Sequence, residues 1–245
     1  MSFIGLYPEK LISHIFQPTT LASFDSLRKN SRLDFRRELF QLNESVRLEC
    51  PDYNGCFLPD NFLKSISKNH EIFGRLPDVK SPFNSISQRN TMFFEVVQNL
   101  NKLFKNKNKY LIDFLLPHFQ TADIEIRLDV EGEAVPCDLW RSSPTKTVEN
   151  PITDCYLTDL LLHLANGNSF QRIAVVLFGP NCYCRIYDPE KGGLSYHLLG
   201  LHQTKLRQLE KKGFKVVKIP FFELPGGPDQ LNYLQQKIFK SQSKH

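Results

Sequence analysis

The stretch HLLGLHQTKLRQLEKKGFKVVKIPFFEL, from His197 to Leu224, decides the fold. Its first half carries apolar or aromatic side chains at helical spacing, namely Leu198, His202, Leu206 and Leu209. Gly213 follows at the place where a left-handed glycine would close that helix. The second half is β-branched or aromatic at Phe214, Val216, Val217 and Ile219, which is typical of a strand. Pro220 then ends the strand because it has no backbone N–H to donate. The stretch therefore predicts a helix, a glycine and a buried strand.

The remaining face of this predicted helix is basic, and we expect it to face solvent. Its cations are Lys205, Arg207, Lys211 and Lys212. The whole chain has a formal charge of +5, but residues 201–245 hold nine Lys/Arg against three Asp/Glu, so this segment carries +6 and the rest −1. Clustered cations favour a polyanionic partner through counterion release, nucleic acid before membrane. The alternative is a merely solvated surface.

The chain before that stretch divides into a helical part and an α/β part. Roughly the first 120 residues show helical periodicity, strongest from Asn90 to Phe119. DIEIRLDVEGE, beginning at Asp123, alternates apolar and charged residues, which predicts a strand with one buried face. Further strands are predicted at residues 133–140 and for QRIAVVLFG and NCYCRIYD, and a helix for DLLLHLANGN. We therefore predict an α+β or α/β protein, with a helical module at 1–89 and a mixed sheet flanked by helices within 90–245.

The predicted order after residue 90 is a helix, three strands, a helix and a strand, which is that of the restriction-endonuclease-like, or PD-(D/E)XK, fold. Its chemistry needs two carboxylates to hold Mg²⁺ and a lysine to activate water. Asp138 stands at the acidic position of the second strand, but Val176 and Phe178 replace the acid and lysine of the third. The candidate catalytic residues of a rearranged site are Asp138 and Glu95, with Lys205. The simpler interpretation is a strand-end acid and a solvated helix residue.

Other sequence features predict no metal, cofactor or membrane span. The six cysteines form no CxxC pair, and Cys182-x-Cys184 is a weak zinc signal, so free thiols are expected. No apolar run reaches about 18 residues. The first twenty residues lack arginine and include Pro8 and Pro18, which is a poor presequence and a poor signal peptide.

The run from Tyr196 to Leu224 resembles the RAP domain, whose pattern is Leu-Leu-Gly, a basic helix, Gly-aromatic-x-Val-Val and Ile-Pro-aromatic-aromatic-Glu. Upstream, LNESVRLECPDYNGCFLP, from Leu42 to Pro59, resembles the second module of the Fas-activated serine/threonine kinase family. The resemblance places the RAP domain at about 171–231. It implies a mitochondrial RNA-associated protein that governs the stability, processing or translation of organellar transcripts. A short form without a presequence leaves a cytosolic or nuclear location open.

The resemblance makes single-stranded mitochondrial RNA the expected partner, with protein partners in RNA granules. The predicted RNA-binding residues are His202, Lys205, Arg207, Lys211, Lys212 and Lys215. Exposed aromatics such as Tyr183 or Tyr187 are candidates for stacking on bases, or else belong to the core. The alternatives are a metal-dependent endoribonuclease with a rearranged site and a protein-interaction module without RNA binding. Protein kinase activity is discounted, because the chain has no Gly-rich loop, His-Arg-Asp or Asp-Phe-Gly motif.

Overall fold

The computed structural model describes residues 6–25, 29–67, 88–116, 118–119, 121–140, 170–190 and 192–239. The predicted helix DLLLHLANGN lies outside these residues. The described helices are α1 Glu9–Ile15, α2 Pro18–Asp25, α3 Lys29–Glu49, α4 Asp60–Ser67, α5 Gln88–Phe104, α6 Gly200–Lys211 and α7 Asp229–Phe239. The described strands are β1 Leu111–Asp113, β2 Asp123–Leu128, β3 Gln171–Phe178, β4 Tyr183–Asp188, β5 Gly193–Leu198 and β6 Lys215–Pro220.

Four of these strands form a mixed sheet in the order β1-β2-β3-β6. β2 is antiparallel to β1 and to β3, whereas β6 is parallel to β3. The parallel pair is joined by the crossover helix α6, as such pairs require. The predicted α+β class is confirmed. The restriction-endonuclease-like assignment and the boundary at residue 89 stay predictions.

Helices cover both faces of this sheet. On one face, α5 and α7 pack on the alternating apolar side chains of β2, β3 and β6, which include Ile124, Ile126, Val175 and Ile219. On the other face, α6 places Leu206 and Leu209 against Ala174, Val176 and Phe178 of β3. The near-continuous apolar run of β3 is explained by this burial on both sides.

The expectation of a half-buried strand at DIEIRL is wrong. All six residues of β2 are buried, including the charged Asp123, Glu125 and Arg127. Lys205 of α6 contacts Asp123, Arg127 pairs with Glu125, and the Arg127 guanidinium lies over the ring of Trp140. Val130, assigned to the buried face, is 76% exposed and lies beyond the end of the strand.

The predicted strand at 133–140 is also wrong. Ala134 makes an isolated bridge to Leu128, and a 3₁₀ turn, Cys137–Leu139, follows Pro136. A proline lacks the donor that a ladder needs at that point, and its fixed φ suits the start of a helical turn. The strand that pairs with β2 on this side is instead the three-residue β1, which is too short to show a periodicity.

α6 ends as the sequence predicts. Gly213 has φ of +79°, its N–H donates to the Glu210 carbonyl, and the Phe214 N–H donates to the Leu209 carbonyl. These two bonds are those of a Schellman motif, and Phe214 and Leu209 pack in the same apolar cluster, as that motif favours. The glycine therefore turns the chain from α6 directly into β6. None of the described helices is both long and apolar enough to cross a membrane.

Candidate nucleic-acid interface

Lys205, predicted to lie on the solvent side of α6, is in fact buried. Lys205 is only 1% exposed. Its ammonium donates to the Asp123 carboxylate at 2.5 Å and to the carbonyl and hydroxyl oxygens of Thr121. Asp123 is itself fully buried at the start of β2. A buried charge needs a partner with good geometry, and this pair supplies one for each residue. The predicted exposure of Lys205 is therefore wrong, and its ammonium is out of reach of an RNA phosphate.

Arg207 turns toward the N-terminal helices. Its guanidinium donates to both carboxylate oxygens of Glu49 on α3, at 2.8 and 3.1 Å. The same carboxylate accepts from Gln208, whose amide also donates to Ser45. The hydrogen bond that Arg207 donates to Glu49 raises the pKa of the Arg207 guanidinium above its ordinary value. Arg207 thus joins α6 to α3, across 158 residues of chain.

The other predicted RNA contacts differ in their accessibility. Lys212 is half-buried and donates to the Leu115 carbonyl at 2.9 Å. His202 is half-buried, with its ring 5.6 Å from that of Phe178. Lys215 is half-buried, and burial lowers the pKa of its ammonium. Lys211 is exposed. RNA contact by these four residues stays a prediction, but the expectation of a continuous solvent-facing basic surface on α6 is wrong.

The candidate catalytic residues do not converge. Glu95 is exposed on α5, which covers one face of the sheet, whereas Lys205 is buried on the other face. Asp138 is exposed on the 3₁₀ turn and accepts a hydrogen bond from Asn108. Among the described residues, no group of three His, Cys, Asp or Glu side chains could hold a metal ion.

The hairpin formed by β4 and β5 carries an exposed aromatic face. Its strands pair Tyr183 with Leu198, Arg185 with Tyr196, and Tyr187 with Leu194. Directly opposed residues of an antiparallel pair share one face. We call these six residues, with Phe221 and Phe222 after β6, the aromatic face. Besides Arg185, four of its side chains are substantially exposed: Tyr187 (63%), Leu194 (65%), Tyr196 (38%) and Phe222 (45%).

The base of the aromatic face is fixed to the core. Tyr183 is half-buried between the rings of Phe178, Phe221 and Phe222, and burial raises the pKa of its hydroxyl to about 12. The Phe221 N–H donates to the Phe178 carbonyl at 2.9 Å. These contacts hold the hairpin in a defined position beside the sheet.

Its exposed part forms a stack. The rings of Tyr196 and Phe222 are nearly parallel, at 13°, with centroids 4.7 Å apart. The guanidinium carbon of Arg185 lies 5.4 Å from the centroid of the Tyr196 ring. Parallel aromatic rings beside a guanidinium are the elements on which proteins stack unpaired bases.

Each residue of the Ile-Pro-aromatic-aromatic-Glu sequence, residues 219–223, has a different structural role. Ile219 is in the core and Pro220 ends β6. Phe221 supports the hairpin, and Phe222 completes the exposed stack. The Glu223 carboxylate accepts from the Tyr233 hydroxyl and the Lys237 ammonium, which fixes α7.

Sequence reasoning named Tyr183 and Tyr187 but missed Tyr196 and Phe222. A signal was present: Tyr-x-Arg-x-Tyr in β4 and Leu-x-Tyr-x-Leu in β5 both alternate with a period of two. Because the apolar residues of β5 all fall on one side of the strand, this alternation predicts a hairpin with one aromatic and aliphatic face. Only the fold shows that nothing among the described residues covers the tip of that face.

Two known family descriptions match the chain. The FAST kinase-like protein, subdomain 2, matches residues 36–136, and the RAP domain matches residues 175–237. The first range contains β1 and β2, and the second contains β6 and half of β3, so the two matched regions contribute to a single sheet. No solved structure matches the chain.

Curated relatives match nearly the whole chain. FAST kinase domain-containing protein 3, mitochondrial, of Homo sapiens is 28% identical over 98% of this chain and 30% of its own length. The protein of the same name from Mus musculus is 28% identical over 99% of this chain and 30% of its own length. FAST kinase domain-containing protein 5, mitochondrial, of Homo sapiens is 26% identical over 98% of this chain and 37% of its own length. The chain thus spans about a third of the length of these relatives. With both family descriptions matched in order and relatives aligned over nearly its full extent, the chain belongs to the FAST kinase-like family and carries a RAP domain.

Proposed function

We propose that this chain is an RNA-associated regulator of mitochondrial transcripts, acting on their stability, processing or translation by binding single-stranded RNA at the aromatic face. The match to the RAP domain supports RNA association. The relatives named as mitochondrial support the location. The observation that carries the RNA contact is the exposed stack of Tyr196 and Phe222 beside Arg185.

The aromatic face suits unpaired RNA bases. Every base has a π-face, so stacking on Tyr and Phe tolerates many sequences, and one exposed guanidinium adds attraction for the RNA. A duplex keeps its bases stacked on each other, so their faces are not available to these rings. The expected ligand is therefore an unstructured strand, a loop or an end.

Binding is favoured over cleavage by the positions of the candidate catalytic groups. Lys205 is held by Asp123, Asp138 accepts from Asn108, and Glu95 lies on the opposite side of the sheet from Lys205. A two-carboxylate site for Mg²⁺ needs its acids side by side. The described residues thus favour a function that holds RNA without cutting it.

The hairpin itself offers a matched pair of variants to test this. Phe222→Ala removes an exposed ring of the aromatic face, whereas Ile186→Ala removes a similarly exposed apolar side chain from the other face. We expect Phe222→Ala to weaken binding of a fluorescent single-stranded RNA decamer at least about fivefold, because a stacked base contributes roughly 1–3 kcal/mol. Ile186→Ala should leave the anisotropy titration unchanged.

Equal losses of RNA affinity in Phe222→Ala and Ile186→Ala would show that the aromatic face is not the RNA-binding surface. A chain that binds no single-stranded RNA, even at low salt, would overturn the function and leave the exposed rings to a protein partner. Incubation of the RNA with the chain and Mg²⁺ or Mn²⁺ tests cleavage in parallel, and the proposal expects intact RNA.

A further inference from the structure

The stack on the aromatic face has three layers and an open end. Phe222 lies on Tyr196 with nearly parallel rings, and Arg185 lies over the ring of Tyr196. Tyr187 is the next residue on the same face of β4 and the most exposed tyrosine of the hairpin. The layers Phe222, Tyr196 and Arg185 therefore lead toward Tyr187 at the tip.

The spacing between the last two positions matches one base. Residues two apart on a strand are separated by about 6.6–6.8 Å. Stacked bases are about 3.4 Å apart, so a planar group placed between two others needs twice that separation. The Cα positions of Arg185 and Tyr187 are thus spaced as two planar groups that hold one base between them.

Arg185 has the properties that this position needs. It is exposed, and its contact among the described residues is the ring of Tyr196, with no carboxylate at ion-pair distance. A guanidinium plane is weakly hydrated and stacks on π-systems on its faces, while its edges donate hydrogen bonds. Arg185 can therefore stack on Tyr196 and on a base at once.

We propose that Arg185 and Tyr187 form a slot that takes one unpaired base of the RNA, and that the slot prefers purines. The inference rests on the proposed function and specifies its site. The preference follows from area, because a two-ring base overlaps the guanidinium and the phenol ring more fully than a one-ring base. Leu194, directly opposite Tyr187 and exposed, adds an apolar contact at the edge of the slot.

The test uses the full chain and three RNA decamers: oligo(U), oligo(U) with one central adenine, and oligo(U) with one central abasic site. We expect the adenine-containing strand to bind at least about threefold more tightly than oligo(U), and the abasic strand more weakly. Tyr187→Ala should remove these differences and weaken binding of the adenine strand at least about fivefold, the lower end of one stacked base. Tyr187→Phe, which keeps the ring, should preserve them.

Arg185→Ala should also remove the preference, whereas Ile186→Ala, on the opposite face between the two, should not. The substituted residues Arg185, Ile186, Tyr187 and Phe222 are all exposed. We therefore expect each variant to melt close to the wild-type temperature, and the melting temperatures are measured alongside the binding. Binding that is lost in Phe222→Ala but shows no purine preference overturns the slot and leaves the proposed function intact. Absence of RNA binding by the wild-type chain overturns both.

Discussion

Helix α6 and the hairpin β4–β5 are neighbours in the chain and place their side chains in opposite ways. α6 is rich in cations, yet Lys205 is buried on Asp123 and Arg207 is held by Glu49. The hairpin is rich in aromatic and aliphatic residues, yet Tyr187 and Leu194 are mostly exposed. Charged residues of α6 therefore connect parts of the fold through buried or half-buried ion pairs, whereas apolar residues of the hairpin are exposed to solvent.

This difference shows that charge counted along a sequence is not surface charge. Two of the cations after residue 201, Lys205 and Arg207, are paired in space with acids from earlier segments, Asp123 on β2 and Glu49 on α3. The tip of the aromatic face, by contrast, is exposed, and none of the described residues covers it. The comparison gives α6 a structural role and leaves the hairpin as the proposed recognition surface.

The largest expected effect is on Lys205. Lys205→Met leaves the carboxylate of Asp123 buried without its ammonium, and breaking a buried pair costs about 3–5 kcal/mol. Urea unfolding followed by circular dichroism should show this loss in the free energy of unfolding. Lys205→Met combined with Asp123→Leu should recover much of it, because an apolar pair of similar volume replaces the ion pair. A Lys205→Met variant that keeps its stability but loses RNA affinity would contradict this structural role and would indicate that α6 contacts RNA.

Arg207 comes next. Arg207→Glu removes the guanidinium from Glu49 and places a second carboxylate beside it, whereas Lys211→Glu changes an exposed residue. Because Arg207 is about a third exposed, solvent screens the loss, and we expect about 2 kcal/mol. Lys211→Glu should change the free energy of unfolding by less than about 0.5 kcal/mol. Equal stability of the two variants, measured by urea unfolding, would contradict a stabilising contact between Arg207 of α6 and Glu49 of α3.

The stability of the fold should depend on pH through His118, which is bonded to Gln208 of α6. Burial lowers the pKa of His118 to about 3, while its Nε2 is bonded to the Gln208 side chain and Lys212 and Lys205 lie nearby. An unfolded histidine titrates near 6.5, so the unfolded state binds more protons between the two values. The stability due to neutral His118 is complete above about pH 6.5 and decreases by about 1.4 kcal/mol per unit as pH falls toward 3. His118→Gln should flatten this slope in urea unfolding, and His197→Gln, on the exposed hairpin, should not.

The smallest effect expected is at the end of α6. Gly213 has φ of +79°, with no heavy atom within 4 Å of where a Cβ would stand. Gly213→Ala is therefore strained by backbone conformation alone, at about 1 kcal/mol. The thermal unfolding midpoint should fall by a few degrees with RNA affinity unchanged. An unchanged midpoint would mean that the Schellman turn does not hold α6 against β6.

Local patterns predicted the elements that local physics determines. The spacing of Leu206 and Leu209, the glycine at 213 and the β-branched run after it gave α6, its cap and β6 correctly. These features depend on residues within a few positions of each other. For the same reason the apolar run QRIAVVLFG was correctly predicted as a central strand.

The errors about burial involve partners far away in the sequence, whereas the wrong strand at 133–140 has a local cause in Pro136. Alternation in β2 indicates a wet charged face unless something covers it, and the lysine that pairs with Asp123 is 82 residues away. Arg207 and Glu49 are 158 residues apart. No periodicity reports such pairs, so the buried role of the basic helix could not be predicted from α6 itself. The exposed rings of Tyr196 and Phe222 depend in the same way on which surfaces remain uncovered.

The salt dependence of RNA binding tests the central claim most directly. For a single strand, each phosphate contact contributes about −0.7 to the slope of log affinity against log salt concentration. Recognition by the aromatic face, with Arg185 as its one cation, predicts a slope of about −1 between 50 and 300 mM KCl. A slope near −4, about what phosphate contacts from all six RNA-binding residues predicted from the sequence would produce, would contradict it.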